Sequence, residues 1–206
     1  MIRHLTTLIL VVLILLFVFV FTNHTVVSPS MEDTLLTGDT FIVLKSWYGL
    51  RLPFTDRILI NFHEPEAGDL VIFKYPLQPT ETHVKRCVAL RGQSIEIVRK
   101  KLFVDDEEVP LPPGAKHDDP VTISAGPGYG RRDFRPREVV PDTSLYVMGD
   151  NRDFSMDSRI WGFLPRKNLP GRAWMILWST DPDIPWSDFK DKIRWDRMFK
   201  KLHRKL

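Results

Sequence analysis

The sequence predicts a mostly β protein: an antiparallel β-sheet core over residues 23–185, interrupted by a smaller loop-rich excursion at about 101–141, behind one N-terminal transmembrane helix at 5–22 and ahead of a basic tail at 186–206. Three observations predict it. Fourteen apolar residues, Leu8–Phe21, run without a break near the start. Behind them, short apolar or alternating stretches recur between turn signals. The body holds no helical pattern long enough for a βαβ unit, which leaves antiparallel pairing as the default.

The anchor rests on length. From Leu5 to Thr22, eighteen residues include only three polar ones, Thr6, Thr7 and Thr22. As a helix they span roughly 27 Å, close to the hydrocarbon core of a bilayer. A cleaved signal peptide has a shorter apolar stretch followed by a small-x-small site. This run leads instead into Phe-Thr-Asn-His-Thr-Val-Val, so an uncleaved anchor is expected, with the lipid bilayer as a partner. Arg3 precedes the span, and no Lys or Arg occurs from Asn23 to Leu44. The positive-inside rule then puts residues 1–4 in the cytoplasm and everything after Thr22 outside.

In the body, strands are expected near Thr40–Leu44, Arg57–Asn61, Leu70–Tyr75, His83–Leu90, Ser94–Val98, Leu102–Val104, Leu145–Met148 and Arg172–Trp178. Gly38-Asp39 and Gly68-Asp69 supply turn chemistry just before two of them. The stretch from Pro110 to Pro141 is rich in Pro and Gly, which predicts long loops. From Trp186 onward, Trp186, Phe189, Ile193, Met198 or Phe199, Leu202 and Leu206 recur at helical spacing among Lys and Arg. That pattern predicts a basic amphipathic helix suited to a lipid interface.

Composition excludes several classes. One cysteine, Cys87, leaves no disulfide framework or multi-cysteine metal site, and the six histidines have no ligand spacing. No metal and no cofactor is therefore expected. The net charge of +3 divides unevenly: residues 190–206 hold eight Lys or Arg and two Asp, which leaves 21 basic and 24 acidic residues elsewhere. A mildly acidic body speaks against a nucleic-acid partner.

Three segments carry chemistry. Ser28-Pro29-Ser30-Met31 follows the anchor and precedes a strand. In His83-Val84-Lys85-Arg86-Cys87-Val88-Ala89, alternation puts Lys85 on one face with His83, Cys87 and Ala89. A lysine beside Cys and Ala is partly buried, and burial lowers its proton affinity until it can act as a neutral base. The third segment, Gly149-Asp-Asn-Arg-Asp-Phe-Ser-Met-Asp-Ser-Arg159, packs charge, amide and hydroxyl groups behind an apolar strand.

Together, and in this order, these segments resemble the bacterial type I signal peptidases, membrane-anchored Ser–Lys proteases that remove signal peptides from exported proteins. Ser30-Met31 with Thr34-Leu35 and Gly38-Asp39 is similar to the family's nucleophile box, Lys85-Arg86 to its lysine box, and 149–159 running into Gly162 and Pro165 to its last box. The resemblance implies Ser30 as nucleophile and Lys85 as general base. It implies an oxyanion hole from the Ser30 N–H and the Ser28 hydroxyl, and Ser155 bonded to Lys85 to orient it. Asp157, with Arg159 and Arg86, would brace the site by ion pairing. Shallow pockets for small residues at −1 and −3 would draw on Val26, Val27, Met31, Leu35, His83 and Val84, with the preprotein signal peptide lying along the His83–Lys85 strand. The implied location is the bacterial plasma membrane, with the catalytic domain outside.

Departures from the family pattern bear on substrate preference and pH optimum. Asp33 stands where Pro is usual, Ala89-Leu90-Arg91-Gly92-Gln93 replaces Gly-Leu-Pro-Gly-Asp, and Phe154 stands where many members carry Asn. A carboxylate of Glu32 or Asp33 close to Lys85 would raise the lysine pKa and oppose catalysis, so both are expected to point away. Two alternatives remain open from sequence: a specialised Ser–Lys peptidase of pilin or secretion substrates, and an inactive membrane-anchored binding module. A penicillin-binding type of enzyme is discounted, because Ser-x-x-Lys occurs only at Ser187–Lys190 with no Lys-Thr-Gly after it.

Overall fold

The first strand begins where the anchor was expected to end. The computed structural model describes residues 20–51, 58–124 and 131–202, with isolated positions 4, 6, 7, 10 and 126. The predicted anchor at 5–22 therefore lies largely outside the described residues. Thr6, Thr7, Leu10 and Val20 within it are helical, and among the described residues no helix is long and apolar enough to cross a membrane. Phe21 and Thr22 belong to β1 (Phe21–Thr25), which pairs antiparallel with β2 (Asp39–Leu44). The predicted boundary thus overran by two residues, because backbone pairing with Val43 and Leu44 claims them.

From β2 the large sheet continues through β13 (Gly171–Ser179), β5 (Leu70–Tyr75), β6 (Gln78–Ala89), β11 (Ser144–Met148) and β12 (Leu164–Pro165), seven strands in all. Its central strands read as continuous apolar runs because both faces are covered. On β5, Leu70 and Ile72 join a core with Met31, Leu35, Phe41 and Ile176, while Val71 and Phe73 join another with Cys87, Leu145 and Val147. Gly171 is needed where β13 passes β2, since a Cβ there would run into the Leu44 carbonyl.

The expected loop-rich excursion is more regular than its composition suggests. A second, four-stranded sheet runs β10 (Arg135–Val139), β7 (Ser94–Val98), β8 (Lys101–Val104), β9 (Glu107–Val109). Its Ile95, Ile97, Leu102 and Val104 pack on Val88, Tyr146 and Met148 of the large sheet. The Pro136-containing β10 escaped the sequence reading because it is an edge strand with a register shift between Arg135 and Glu138, which accommodates the proline. A short hairpin, β3 (Leu50–Arg51) with β4 (Ile58–Ile60), completes the sheets.

The tail differs from the single amphipathic helix expected for it. Residues 189–192 and 195–197 each make one turn, the first being α2 (Phe189–Lys192) after α1 (Ser158–Trp161). The chain then runs back along β13: Phe199 N donates to Ile176 O (2.8 Å) and Leu202 N to Trp174 O (2.8 Å). The reason is an unpaired edge. β13 meets β5 only at Gly171 and Arg172, so its later backbone groups need partners, and the tail supplies them. Arg197 is buried by this return. Its Nη2 lies 2.6 Å from Asp39 Oδ2 and donates to Thr34 O at 3.1 Å, and the Ser179 hydroxyl completes the Asp39 site.

Candidate active site

Between β1 and β2 the chain makes a 3-10 turn at Pro29–Met31. The sequence dictates this locally: Ser28 caps the turn, its Oγ accepting from Ser30 N (3.3 Å), and Pro29 supplies a fixed φ at the first position. Met31 and Leu35 then drive fully buried side chains into the core below. The turn thereby points Ser30 at β6, where Lys85 is 3 % exposed. Lys85 Nζ lies 2.6 Å from Ser30 Oγ and also donates to Val84 O (3.1 Å).

Burial pushes the Lys85 ammonium down to about 8, against the pull of the Asp157 and Asp150 carboxylates and with some help from Arg159. A substantial fraction of this lysine is therefore neutral near pH 8, as a base must be.

The segment after β11 grips the turn from behind. Asn151 N donates to Ser30 O (3.1 Å), and Asn151 Nδ2 to Pro29 O (3.2 Å). Asp150 takes the Thr34 hydroxyl (2.6 Å) and a two-pronged ion pair from Arg86, Nε at 2.8 Å and Nη2 at 2.7 Å. Asp157 caps α1, accepts from Gly149 N (2.9 Å), and is held by Arg159 through Nε and Nη2, both at 2.8 Å. Burial alone would raise its carboxyl, but the Arg159 charge and these hydrogen bonds bring it below the ordinary carboxylate range. Gly149 sits where no side chain fits: a Cβ would lie 2.5 Å from Ser30 O and against the Ser155 hydroxyl.

The structure thus brings Ser28, Ser30, Lys85, Arg86, Ser155, Asp157 and Arg159 together, with two differences from expectation. Lys85 bonds Ser30 and Val84 rather than Ser155, whose buried Oγ has no hydrogen-bond partner among the described residues. It lies near enough to Asp157 to favour that carboxylate's charged form without hydrogen-bond geometry. Arg86 and Asp157 belong to two separate pairs, and the partner of Arg86 is Asp150, which the sequence reading left without a role. A buried arginine beside Lys85 requires a carboxylate, and the acidic residues of 149–159 were the place to look. Glu32 and Asp33 turn their carboxylates to Lys116, at 3.3 and 3.4 Å.

A groove of about 510 Å³ opens on the Ser30–Lys85 pair. Val26, Val27, Met31, His83 and Val84 line it as expected, and Val27 is 85 % exposed. Leu35 does not: it is fully buried in the core beneath the turn, because it faces Phe41 and Ile176. The groove also takes in Phe154 and Met156, exposed apolar side chains, and Tyr75, on which His83 stacks at 4.7 Å with its Nε2 3.1 Å from Glu81. Neither Tyr75 nor Met156 carried any signal in the sequence beyond its neighbourhood.

A family model described as signal peptidase, peptidase S26, matches residues 1–178. Signal peptidase I of Pseudomonas aeruginosa is 31% identical over 195 residues, covering 81% of this chain and 68% of the relative. That of Pseudomonas fluorescens is 32% identical over 185 residues, covering 76% and 64%. The chain spans about two thirds of the length of these curated relatives. A solved signal peptidase I from Enterococcus faecalis V583 shares 20% identity at a TM-score of 0.38, over 54% of this chain and 98% of that one.

Proposed function

The chain belongs to the signal peptidase family, peptidase S26, and we propose that it is a membrane-bound serine endopeptidase that removes N-terminal signal peptides from exported proteins, cleaving after small residues at −3 and −1. The observation that carries this reading is the 2.6 Å approach of Lys85 Nζ to Ser30 Oγ in a buried setting that keeps the lysine near half-neutral at pH 8.

In this mechanism neutral Lys85 takes the Ser30 proton as Oγ attacks the scissile carbonyl. The oxyanion is met by the Ser30 N–H and the Ser28 hydroxyl. The free site is closed on itself, since Ser28 Oγ accepts from that same N–H at 3.3 Å. Ser28 is exposed, and substrate entry replaces this weak bond with two donors aimed at the oxyanion, each worth about 3 kcal/mol in the transition state. Collapse expels the amine of the mature protein, which takes the proton from Lys85. A water deprotonated by Lys85 then releases the acyl group. Asp157, Arg159, Arg86 and Asp150 hold the frame, and the signal peptide adds as a strand along His83–Lys85.

The test is cleavage of a preprotein with Ala at −3 and −1 by the full chain in detergent, read by mass spectrometry of the product. One cut after −1, abolished by Phe at −1, is expected. No cleavage, or cleavage that survives Ser30→Ala, overturns the reading and favours a binding module.

The reading includes location: the body on the extracytoplasmic face of the bacterial plasma membrane, with the aromatic side of the tail in contact with lipid. Trp174, Trp186, Phe189, Trp195 and Phe199 are exposed among Lys190, Lys200 and Lys201, and Phe21, at the end of the expected anchor, packs on Trp174 at 6.3 Å. Exposed Trp beside Lys suits the headgroup region. The first tryptophan in the sequence is Trp47, so fluorescence reports the body and tail and not the anchor. In bilayers of brominated phospholipid it should be quenched, and less so in Trp195→Phe; equal emission with and without bromine rejects the contact.

A further inference from the structure

The loop between β9 and β10 returns to the active site. Gly114, at φ +87°, lies against the nucleophile turn, so close that a Cβ would lie 2.9 Å from the Thr34 hydroxyl oxygen. Two residues on, the Lys116 backbone joins the segment behind Ser30: its N donates to Asp150 O (2.9 Å) and its O accepts from Arg152 N (3.0 Å), bridging Asn151. Asn151 is the residue that holds Ser30 O and Pro29 O.

The Lys116 side chain closes the circuit. Its Nζ lies 3.3 Å from Glu32 Oε2, 3.4 Å from Asp33 Oδ2 and 2.9 Å from Asp118 Oδ2. Glu32 Oε2 also accepts from Asn151 Nδ2 at 3.1 Å. Asp33 has φ +71°, a left-handed conformation that residues with a Cβ rarely adopt unless their surroundings hold them there. Hydrogen bonds to Asp118, above all, and to Glu32 and Asp33 keep the Lys116 ammonium well above the ordinary lysine range. Pairs this exposed add little to global stability. Removing this cation, however, leaves the Glu32 and Asp33 carboxylates of the strained turn facing that of Asp118 across the loop, next to the nucleophile.

Taking Ser30 and Lys85 as the reacting pair, as proposed above, we infer that Lys116 is a positioning residue: it clamps the Glu32–Asp33 turn to Asn151 and so fixes the aim of the Ser30 hydroxyl at Lys85. It touches neither substrate nor the reacting atoms. Small displacements of a nucleophile cost rate steeply, so the expected effect is on kcat and not on KM.

The experiment compares Lys116→Met and Lys116→Arg in the full chain in detergent. Lys116→Met should lower kcat about tenfold with KM unchanged. Its pH profile should keep the limb near 8, because the charges acting on Lys85 are those of Asp157, Asp150 and Arg159. Lys116→Arg should restore most of the rate. Hydrogen exchange across residues 30–36 should quicken in Lys116→Met and not in Lys116→Arg. That readout needs no substrate, so it judges the clamp even if preproteins are not cleaved. Unchanged kcat with unchanged exchange overturns the inference. So does a loss of rate that Arg fails to rescue and that tracks a lowered melting temperature.

Discussion

Lys85→Met is expected to leave a folded protein that cleaves nothing and resists heat better than the wild type. Loss of the base should lower kcat/KM by on the order of 10⁴-fold or more, as for other nucleophile–base pairs. The gain in stability follows from the same burial that makes the lysine useful. Folded Lys85 releases its proton near 8 and an ordinary lysine near 10.5. Between those values the unfolded chain binds more protons, so stability rises with pH; below 8 the whole penalty is present. The difference of 2.5 units, at about 1.36 kcal/mol each, is about 3 kcal/mol. Methionine removes it and gives back about 1 kcal/mol for the lost hydrogen bond to Ser30. In the wild type, kcat/KM should fall about tenfold per pH unit below 8 and level off above it. Thermal unfolding and a pH–rate series on one preprotein check both statements. Retained cleavage by Lys85→Met would falsify the assignment of the base.

Asp157→Ala should be the most damaging change to stability, at about 3–5 kcal/mol. It strands the buried Arg159 charge and leaves the Gly149 N–H without its acceptor. Asp157→Asn keeps the shape and isolates the electrostatics. Because the Asp157 charge raises the Lys85 pKa, its neutralisation should move the acid limb of the rate profile below 8, even as total activity falls. Acid should act on the wild type in the same direction. The Asp157 carboxyl is held low in the folded state, so its contribution is present above the ordinary carboxylate pKa and is lost as pH falls through the folded value. Denaturant midpoints for Ala and the limb position for Asn are the measurements. A limb that stays at 8 in Asp157→Asn would show that the carboxylate does not act on the base.

Much of this site was legible because its groups sit in short, chemically loaded boxes beside strong strands. Leu70–Tyr75 and Ser94–Val98 matched their expected bounds, since an apolar run defines the first and apolar alternation the second. What escaped was held by backbone or by partners distant in sequence. β1 and β10 are polar strands recruited by an open edge. The tail has helical spacing, yet an unpaired stretch of β13 takes it as an extended partner. Asp150 looks like any other acid in its box until Arg86 is seen against it. The spacing of Leu35 fits a pocket, but the turn rotates it into the core.

The Arg197 contact also sets an order of events. The residue that tethers Thr34 O comes 163 positions later in the chain. Every covalent element of the catalytic pair exists as soon as β6 has been made, but the turn that carries Ser30 gains this anchor only after β13 has been laid down and the tail has folded back along it. Contacts this distant in sequence form late in folding. The nucleophile is thus among the first parts of the body to be synthesised, yet one of the contacts that hold its turn waits for residue 197.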